Sequence, residues 1–348
     1  MKIALIGFGA VGQGLAEILR DKGAELEAYH GFRGEIVAVA TRSRGTLYHP
    51  DGLDAALLLE AIGQGHLDRY PDVYGLTREW NAPTIARQCN ADVLVEASPS
   101  DLRGGQPALD YCYAAFESGK DVVLANKGPL VAAGETLRAR ARQAGRRLLF
   151  EATVMAGTPS LRLALDALAG CKITAARGIL NGTTNYILTQ MESGQSYEAA
   201  LAQAQAAGYA EADPSADVEG WDAAAKLVIL AGALFGKTLA LHDLDVQGIT
   251  ALTAADIQAA RAAGERWKLI ARITPEGGSV RPVRVPLNDP LAAVPGATNA
   301  ITYTTDLLGE VTLVGAGAGR LSTGFALLSD LLALHRQAVN PHSQPAAG

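Results

Sequence analysis

Lys2-Ile-Ala-Leu-Ile-Gly-Phe-Gly-Ala-Val-Gly12 opens the chain and decides how its first half folds. The apolar run to Ile6 suits a short buried strand, and Leu15, Ile18 and Leu19 beyond it have helical spacing. Gly7, Gly9 and Gly12 stand between the two, which is the context that gives a GxGxxG pattern meaning. Gly7 allows a tight turn, Gly9 lets the backbone approach a pyrophosphate, and Gly12 lets helix and strand pack closely. With Phe8, Ala10 and Val11 they form a turn whose helix N-terminus would receive the phosphates. A glycine-rich turn without a ligand is the alternative.

The strand Glu35 to Ala40 ends where an NAD site would place a carboxylate for the ribose hydroxyls, yet Thr41-Arg42-Ser43-Arg44 follows. Guanidiniums and hydroxyls suit the 2′-phosphate of NADP, and Arg42 could equally stack on an adenine, so NADP and NAD both remain open. Further strand-like runs at Asp92 to Glu96, Val122 to Ala125 and Leu148 to Ala152 alternate with amphipathic segments such as Ala108 to Glu117 and Glu135 to Gln143. That alternation predicts a Rossmann-type, doubly wound parallel sheet. Residues 44–91 exceed what a crossover needs and are expected to hold extra helices.

After Pro159 the rhythm changes. Helices are expected to dominate from Ser160 to Ala263, then strands at Trp267 to Thr274, Val280 to Val285, Ala300 to Thr305 and Glu310 to Val314. The α/β chain is therefore expected to divide into a nucleotide-binding domain over 1–135, completed by a C-terminal helix over 318–338, and a second α+β domain over 136–317. That second domain would carry a mostly antiparallel sheet and serve substrate binding and dimerisation. A flexible tail over 339–348 is expected to follow. The Ile, Val and Thr-rich strands lack a long helix nearby in sequence, so a sheet face or edge is left for a homodimer to cover, unless Ser160 to Leu168 and Asp222 to Phe235 cover it within one chain.

Composition narrows the function. Among 348 residues, 36 acidic and 30 basic side chains are mixed along the chain, which points away from nucleic acid and anionic membrane as partners. Cys89, Cys112 and Cys171 are far apart without metal spacing and read as reduced thiols. The histidines likewise show no ligand spacing, so a zinc site or hydrolase triad is not expected. With no leader pattern and no long apolar run, a cytoplasmic enzyme is expected.

Two groups of residues carry the chemistry. Ser98 and Lys127 each follow an apolar strand, at the carboxyl ends where open α/β sheets bind ligands. In the second half, Asp222 and Lys226 are the only ionisable residues from 222 to 235 and share one helix face at i, i+4. They form either a surface ion pair at a helix start or an ammonium facing a water-poor pocket, where it can donate a proton.

Together, Asn126-Lys127, Glu151-Ala-Thr-Val-Met-Ala-Gly-Thr-Pro159, Gly178-Ile-Leu-Asn-Gly-Thr-Thr-Asn-Tyr-Ile-Leu188, and Gly208-Tyr-Ala-Glu-Ala-Asp-Pro214 through Lys226 resemble homoserine dehydrogenase, from Met1 to about Leu334. The resemblance implies NAD(P)H-dependent reduction of L-aspartate 4-semialdehyde to L-homoserine, on the way to threonine and methionine. It implies Lys226 as the catalytic lysine with Lys127 in the site, and Glu211 and Asp222 as the acids that hold the substrate's amino group. Tyr209, Asp217, Gly182 and Thr183 would line the pocket, and Gly319 would approach the cofactor. It also implies a monovalent cation, usually sodium, held largely by backbone carbonyls of Glu151, Val154, Ala156 and Thr158; such oxygen ligands suit a hard cation. Neither a regulatory ACT domain nor a fused aspartate kinase is expected, and Asn126-Lys-Gly-Pro129 varies the commoner alanine-containing turn. A dehydrogenase for another small amino or hydroxy acid, or a non-catalytic NADP-binding regulator, are the alternatives; four retained site residues, Lys127, Glu211, Asp222 and Lys226, argue against the regulator.

Overall fold

The structure, a computed structural model, describes residues 1–339. Most of the tail expected over 339–348 thus lies outside the described residues. The chain divides into one unit of Met1–Thr153 together with the chain from Gly319 onward, and another of Val154–Ala318.

In the first unit the order is β1 (Lys2–Ile6), α1 (Ala10–His30), β2 (Glu35–Ala40), β3 (Thr46–Tyr48), α2 (Ala55–Gly63), α3 (Ala82–Gln88), β4 (Val93–Glu96), α4 (Ala108–Glu117), β5 (Asp121–Leu124), α5 (Gly128–Gln143) and β6 (Leu148–Leu149). Residues Ile3–Ile6, Ile36–Ala40, Val93–Glu96 and Asp121–Leu124 are buried on both faces, the mark of a parallel sheet covered by helices on each side. The strands lie in the order β3-β2-β1-β4-β5-β6 and run parallel except for β3, which pairs antiparallel at the edge of β2. The order reverses between β1 and β4, and such a switch point is where doubly wound sheets bind ligands.

The second unit contains α6 (Ser160–Arg162), β7 (Ile173–Ile179), α7 (Gly182–Glu192), α8 (Tyr197–Ala206), α9 (Ser215–Val218), α10 (Trp221–Phe235), β8 (Asp245–Val246), α11 (Ala254–Ala262), β9 (Glu265–Thr274), β10 (Gly277–Pro286), β11 (Thr298–Thr305) and β12 (Gly309–Ala316). Its six strands lie in the order β12-β11-β7-β9-β10-β8, and every pairing but β8 with β10 is antiparallel. Finally α12 (Arg320–Val339) returns the chain to the first unit. Its buried Leu327, Leu328, Leu331 and Leu334 join Leu15 and Leu19 of α1 in one core, and each buried leucine contributes about 1.5–3 kcal/mol.

Four details differ from the sequence reading. The segment 160–263 is not helical throughout: Ile173–Ile179 forms β7 near the centre of the second sheet, between β11 and β9. Its interior Ala-Ala-Arg favours helix locally, and pairing on both edges overrides that preference. Strand β6 stops at Leu149, and Glu151–Thr153 forms a single 3₁₀ turn instead. The boundary expected at residue 135 falls inside α5, and β6 pairs in register with β5, so residues 136–153 stay with the first unit. The segment after Ala40 contains a short hairpin strand, β3, as well as the extra helices.

Candidate active site

The glycine-rich turn is built for a close ligand. Gly7 sits at φ 97°, and a Cβ there would come within 2.4 Å of the Ala97 backbone. Nothing lies within 4 Å of where a Cβ on Gly9 would be, and Gly9 is also the N-cap of α1 with no side-chain oxygen to satisfy the first N–H groups. Open space over uncapped helix amides fits a phosphate. The turn is braced from below, because the Phe8 carbonyl accepts from Gln13 Nε2 (2.9 Å) and from Arg44 Nη2 (3.0 Å). Ala10 and Val11 then begin the helix.

The two arginines after β2 have separate fates. The Thr41 hydroxyl accepts from Arg44 N–H at 2.8 Å and donates to the Gly45 carbonyl at 2.8 Å, which curls the loop and turns Arg44 back to the phosphate turn. Arg42 is left exposed at its rim. At the ends of β4 and β5, Ser98 donates to the Glu96 carboxyl, and Asn126 Nδ2 donates to Ser98 Oγ (3.3 Å) and to the Pro99 carbonyl (3.3 Å). Lys127 is half-buried at the start of α5, with its backbone N–H on Ser100 Oγ at 3.0 Å. Gly319, at φ 132°, leads into α12 of the same unit.

In the second unit, α10 buries every residue from Ala223 to Ala231, Lys226 included. The Lys226 ammonium donates to Asp222 Oδ2 at 2.6 Å and to the Leu180 carbonyl at 2.5 Å. The i, i+4 pair is therefore turned inward and is not a surface ion pair. Asn181, the N-cap of α7, accepts from Thr184 N–H on Oδ1 (2.9 Å), which leaves its amide NH₂ to bridge Asp217 Oδ1 (2.6 Å) and Asp222 Oδ2 (3.0 Å). Thr183 Oγ1 lies 3.0 Å from Asp217 Oδ2 and 2.6 Å from the Tyr209 carbonyl, and Gly182 begins the helix beneath them. Burial first, and then the negative charge of Asp222, raise the Asp217 carboxyl above its ordinary range. Two carboxylates and one ammonium leave this cluster short of one positive charge.

Lys226, Asp222, Asp217 and Thr183 thus come together, with Gly182 beside them at the start of α7. Glu211 does not join them: it is exposed on the loop before α9, where its carbonyl accepts from Gln205 Nε2 at 3.1 Å. Tyr209, 48% exposed, stacks obliquely on Tyr186 with ring centroids 5.0 Å apart. Sequence reasoning gave Asn181 no role, and it set the Arg44 guanidinium beside that of Arg42 for a 2′-phosphate, whereas Arg44 reaches the Phe8 carbonyl. An Asn-Gly-Thr-Thr helix start was the available signal for the first; nothing local announced where Arg44 would turn.

At the turn that ends the first unit, Glu151 is buried and its N–H donates to Asp330 Oδ2 at 2.9 Å. In the other unit, Met155 (φ 58°) and Ala156 (φ 48°) hold a left-handed backbone. There the Val154 carbonyl accepts from Ser160 Oγ (3.0 Å), and Thr158 Oγ1 donates to the Ala316 carbonyl (2.9 Å). Among the described residues no group of three or more His, Cys, Asp or Glu side chains is arranged to hold a metal ion, and no helix is long and apolar enough to cross a membrane.

Comparison with known proteins agrees with this geometry in both units. The homoserine dehydrogenase NAD-binding domain profile matches residues 7–151, and the homoserine dehydrogenase profile matches residues 159–332. An NAD(+)-dependent homoserine dehydrogenase of Pseudomonas canavaninivorans is 43% identical, with 97% of each chain covered. A homoserine dehydrogenase of Methanocaldococcus jannaschii is 40% identical over 96% of this chain and 98% of its own. A hyperthermophilic archaeal homoserine dehydrogenase solved in complex with NADPH superimposes with a TM-score of 0.82 at 27% identity, covering 97% of this chain and 98% of that one. With a dinucleotide-type turn in one unit, a buried Lys226–Asp222 pair in the other and matches across nearly its full length, the chain belongs to the homoserine dehydrogenase family.

Proposed function

We propose that the chain interconverts L-aspartate 4-semialdehyde and L-homoserine with Lys226 as proton donor to the carbonyl oxygen. The observation that carries this reading is a buried ammonium whose orientation is set by Asp222 and the Leu180 carbonyl. Two of its three N–H donors are engaged there, and the remaining one is assigned to the substrate oxygen. Bound NAD(P)H supplies the hydride to the aldehyde carbon. Lys226 then gives its proton to the alkoxide oxygen, and Asp222 fixes the direction in which the ammonium is held. The pair Asp217 and Asp222, with Glu211 on the exposed loop before α9 and Tyr209, Gly182 and Thr183 as lining, receives the substrate ammonium. Following absorbance at the nicotinamide band with aspartate semialdehyde, and then with other small aldehydes, tests the assignment; equal turnover of the others would favour a dehydrogenase of different specificity.

For the cofactor, Gly7, Phe8, Gly9, Ala10, Val11 and Gly12 hold the pyrophosphate, with Ser98, Lys127 and Gly319 toward the reactive end. Exposed Arg42 meets the 2′-phosphate of NADP. Arg42→Ala is expected to weaken NADP(H) by about 1.5–3 kcal/mol while leaving NAD(H) almost unchanged, as charged hydrogen bonds of this type contribute. KM values for both cofactors check this, and an equal loss would assign Arg42 to adenine stacking instead.

A monovalent cation at carbonyls of Glu151, Val154, Ala156 and Thr158 is part of the same proposal. Its support is the pair of non-glycine residues at positive φ, a backbone that persists where its surroundings hold it. Activity in sodium against choline chloride at constant ionic strength tests it, and identical rates would sink it.

A cytoplasmic homodimer completes the reading. Leu269, Ala271, Ile273, Val280, Ile301 and Tyr303 are buried on one face of the second sheet, where α10 and α11 pack against β9. The segment 287–297 covers one end of the other face through Leu291, Ala292 and Val294, but Arg272, Arg281 and Val283 remain exposed there. A sheet face left this open is where a second copy is expected to pair. Light scattering at micromolar concentration should give about twice the 36.2 kDa chain mass; the single mass would refute the dimer.

A further inference from the structure

Glu96 is the last residue of β4 and is fully buried, yet the substrate chemistry does not use it. It stands beside the switch point of the first sheet, in register with Ile6 of β1 on one side and Leu124 of β5 on the other. Its Oε1 accepts from Ser98 N–H (3.2 Å) and from the Ser98 hydroxyl, while Oε2 is buried with no hydrogen-bond partner. Ser98 in turn accepts from Asn126 Nδ2 at 3.3 Å, so one carboxyl ties the β4 loop to the β5 loop that carries Lys127. The β4 loop abuts the phosphate turn, since the Ser98 backbone nitrogen lies 2.5 Å from where a Cβ on Gly7 would be.

We propose that Glu96 is a positioning residue for dinucleotide binding: it acts through Ser98 to hold the 97–100 loop against the Gly7–Gly12 turn. This rests on the assignment of that turn to NAD(P).

A buried carboxylate needs a cation or several donors, and the surroundings offer few. The titratable groups that face Glu96 are Tyr111 and Cys112 of α4, neither of them cationic, and the polar ones are Ser98 and Asn126. Burial outweighs the hydrogen bonds and pushes the Glu96 carboxyl up to about 7. Ionisation places a negative charge beside a turn that must accept phosphates, so affinity falls as the proton leaves. The folded-state pKa lies above the 4.5 ordinary for a glutamate, so the stability held by the neutral acid is complete below about pH 4.5 and is lost as pH rises through about 7.

The test is direct titration of NADPH and NADH by fluorescence, from about pH 5.5 to about pH 8.5, on the full chain. Wild type should weaken for its preferred dinucleotide by about tenfold across that range, the effect of a one-unit difference in pKa between free and bound protein. Glu96→Gln keeps the shape without the titration and should hold the low-pH affinity throughout; its melting temperature should exceed that of wild type at the alkaline end and match it at the acid end. Ser98→Ala breaks the tie from the other side and should bind weakly across the whole range. A flat wild-type profile, Glu96→Gln titrating with the wild-type slope, or Ser98→Ala binding as tightly as wild type at low pH overturns the proposal. Absence of binding by both dinucleotides in wild type would instead overturn the assignment of the turn.

Discussion

Lys226→Ala should lower kcat for semialdehyde reduction by about 10²-fold or more, with dinucleotide affinity unchanged, because a positioned general acid contributes about 10²–10⁴. The physical basis is local. Lys226 is held from two directions at 2.6 and 2.5 Å, on a helix whose neighbouring residues are alanine, leucine and valine, so nothing else on α10 can donate a proton in its place. The substitution takes the donor from the Leu180 carbonyl and the counter-charge from Asp222, which keeps only the Asn181 amide as a partner at 3.0 Å, so a stability loss is expected alongside the loss of turnover. Steady-state kinetics with a parallel thermal melt checks this. Turnover within a few-fold of wild type in a folded protein would transfer the proton-donor role to Lys127 or to water.

Asp222→Ala should be the more damaging change to the protein as a whole. It strands the Lys226 ammonium in a buried site with the Leu180 carbonyl, and it also takes one acceptor from Asn181. Removing one partner of a buried ion pair costs about 3–5 kcal/mol, and the 19% exposure of Asp222 places the expected loss at the lower end, about 3 kcal/mol. In a chain of this size that lowers Tm by several degrees, and kcat should fall with it because the lysine loses the partner that orients it. Asp222→Asn separates the two effects, since it can still accept from Lys226 but carries no charge. If Asp222→Ala melts with wild type and turns over normally, the pair is not the organising element of the site.

The legible part of this protein was whatever depends on short range. Ile3 to Ile6 followed by Gly7, Gly9 and Gly12 specifies a strand, a turn and a helix within a dozen residues, and that local rule places the dinucleotide turn without knowledge of the rest. The i, i+4 spacing of Asp222 and Lys226 likewise sets one helix face, and the family resemblance extended the reading to Asp217, Thr183 and Gly182.

Long-range contacts decided the remainder. Ile173–Ile179 is a strand because β11 and β9 pair with its two edges, although its own interior is helix-compatible; no window of sequence contains those partners. Asn181 became the bridge between Asp217 and Asp222 because an N-cap directs its carbonyl inward to Thr184 and so leaves its NH₂ group for residues 36 and 41 positions away. Glu96 reads in sequence as the polar end of a strand, and only the packed sheet reveals it as buried, with one oxygen satisfied and one not. Sequence alone therefore determined the secondary-structure periodicities, the glycine turn and the facing of Lys226 with Asp222, since each follows from backbone geometry over a few residues. Tertiary structure determined which polar groups lose water and what they meet when they do, since desolvation depends on segments brought together from across the chain.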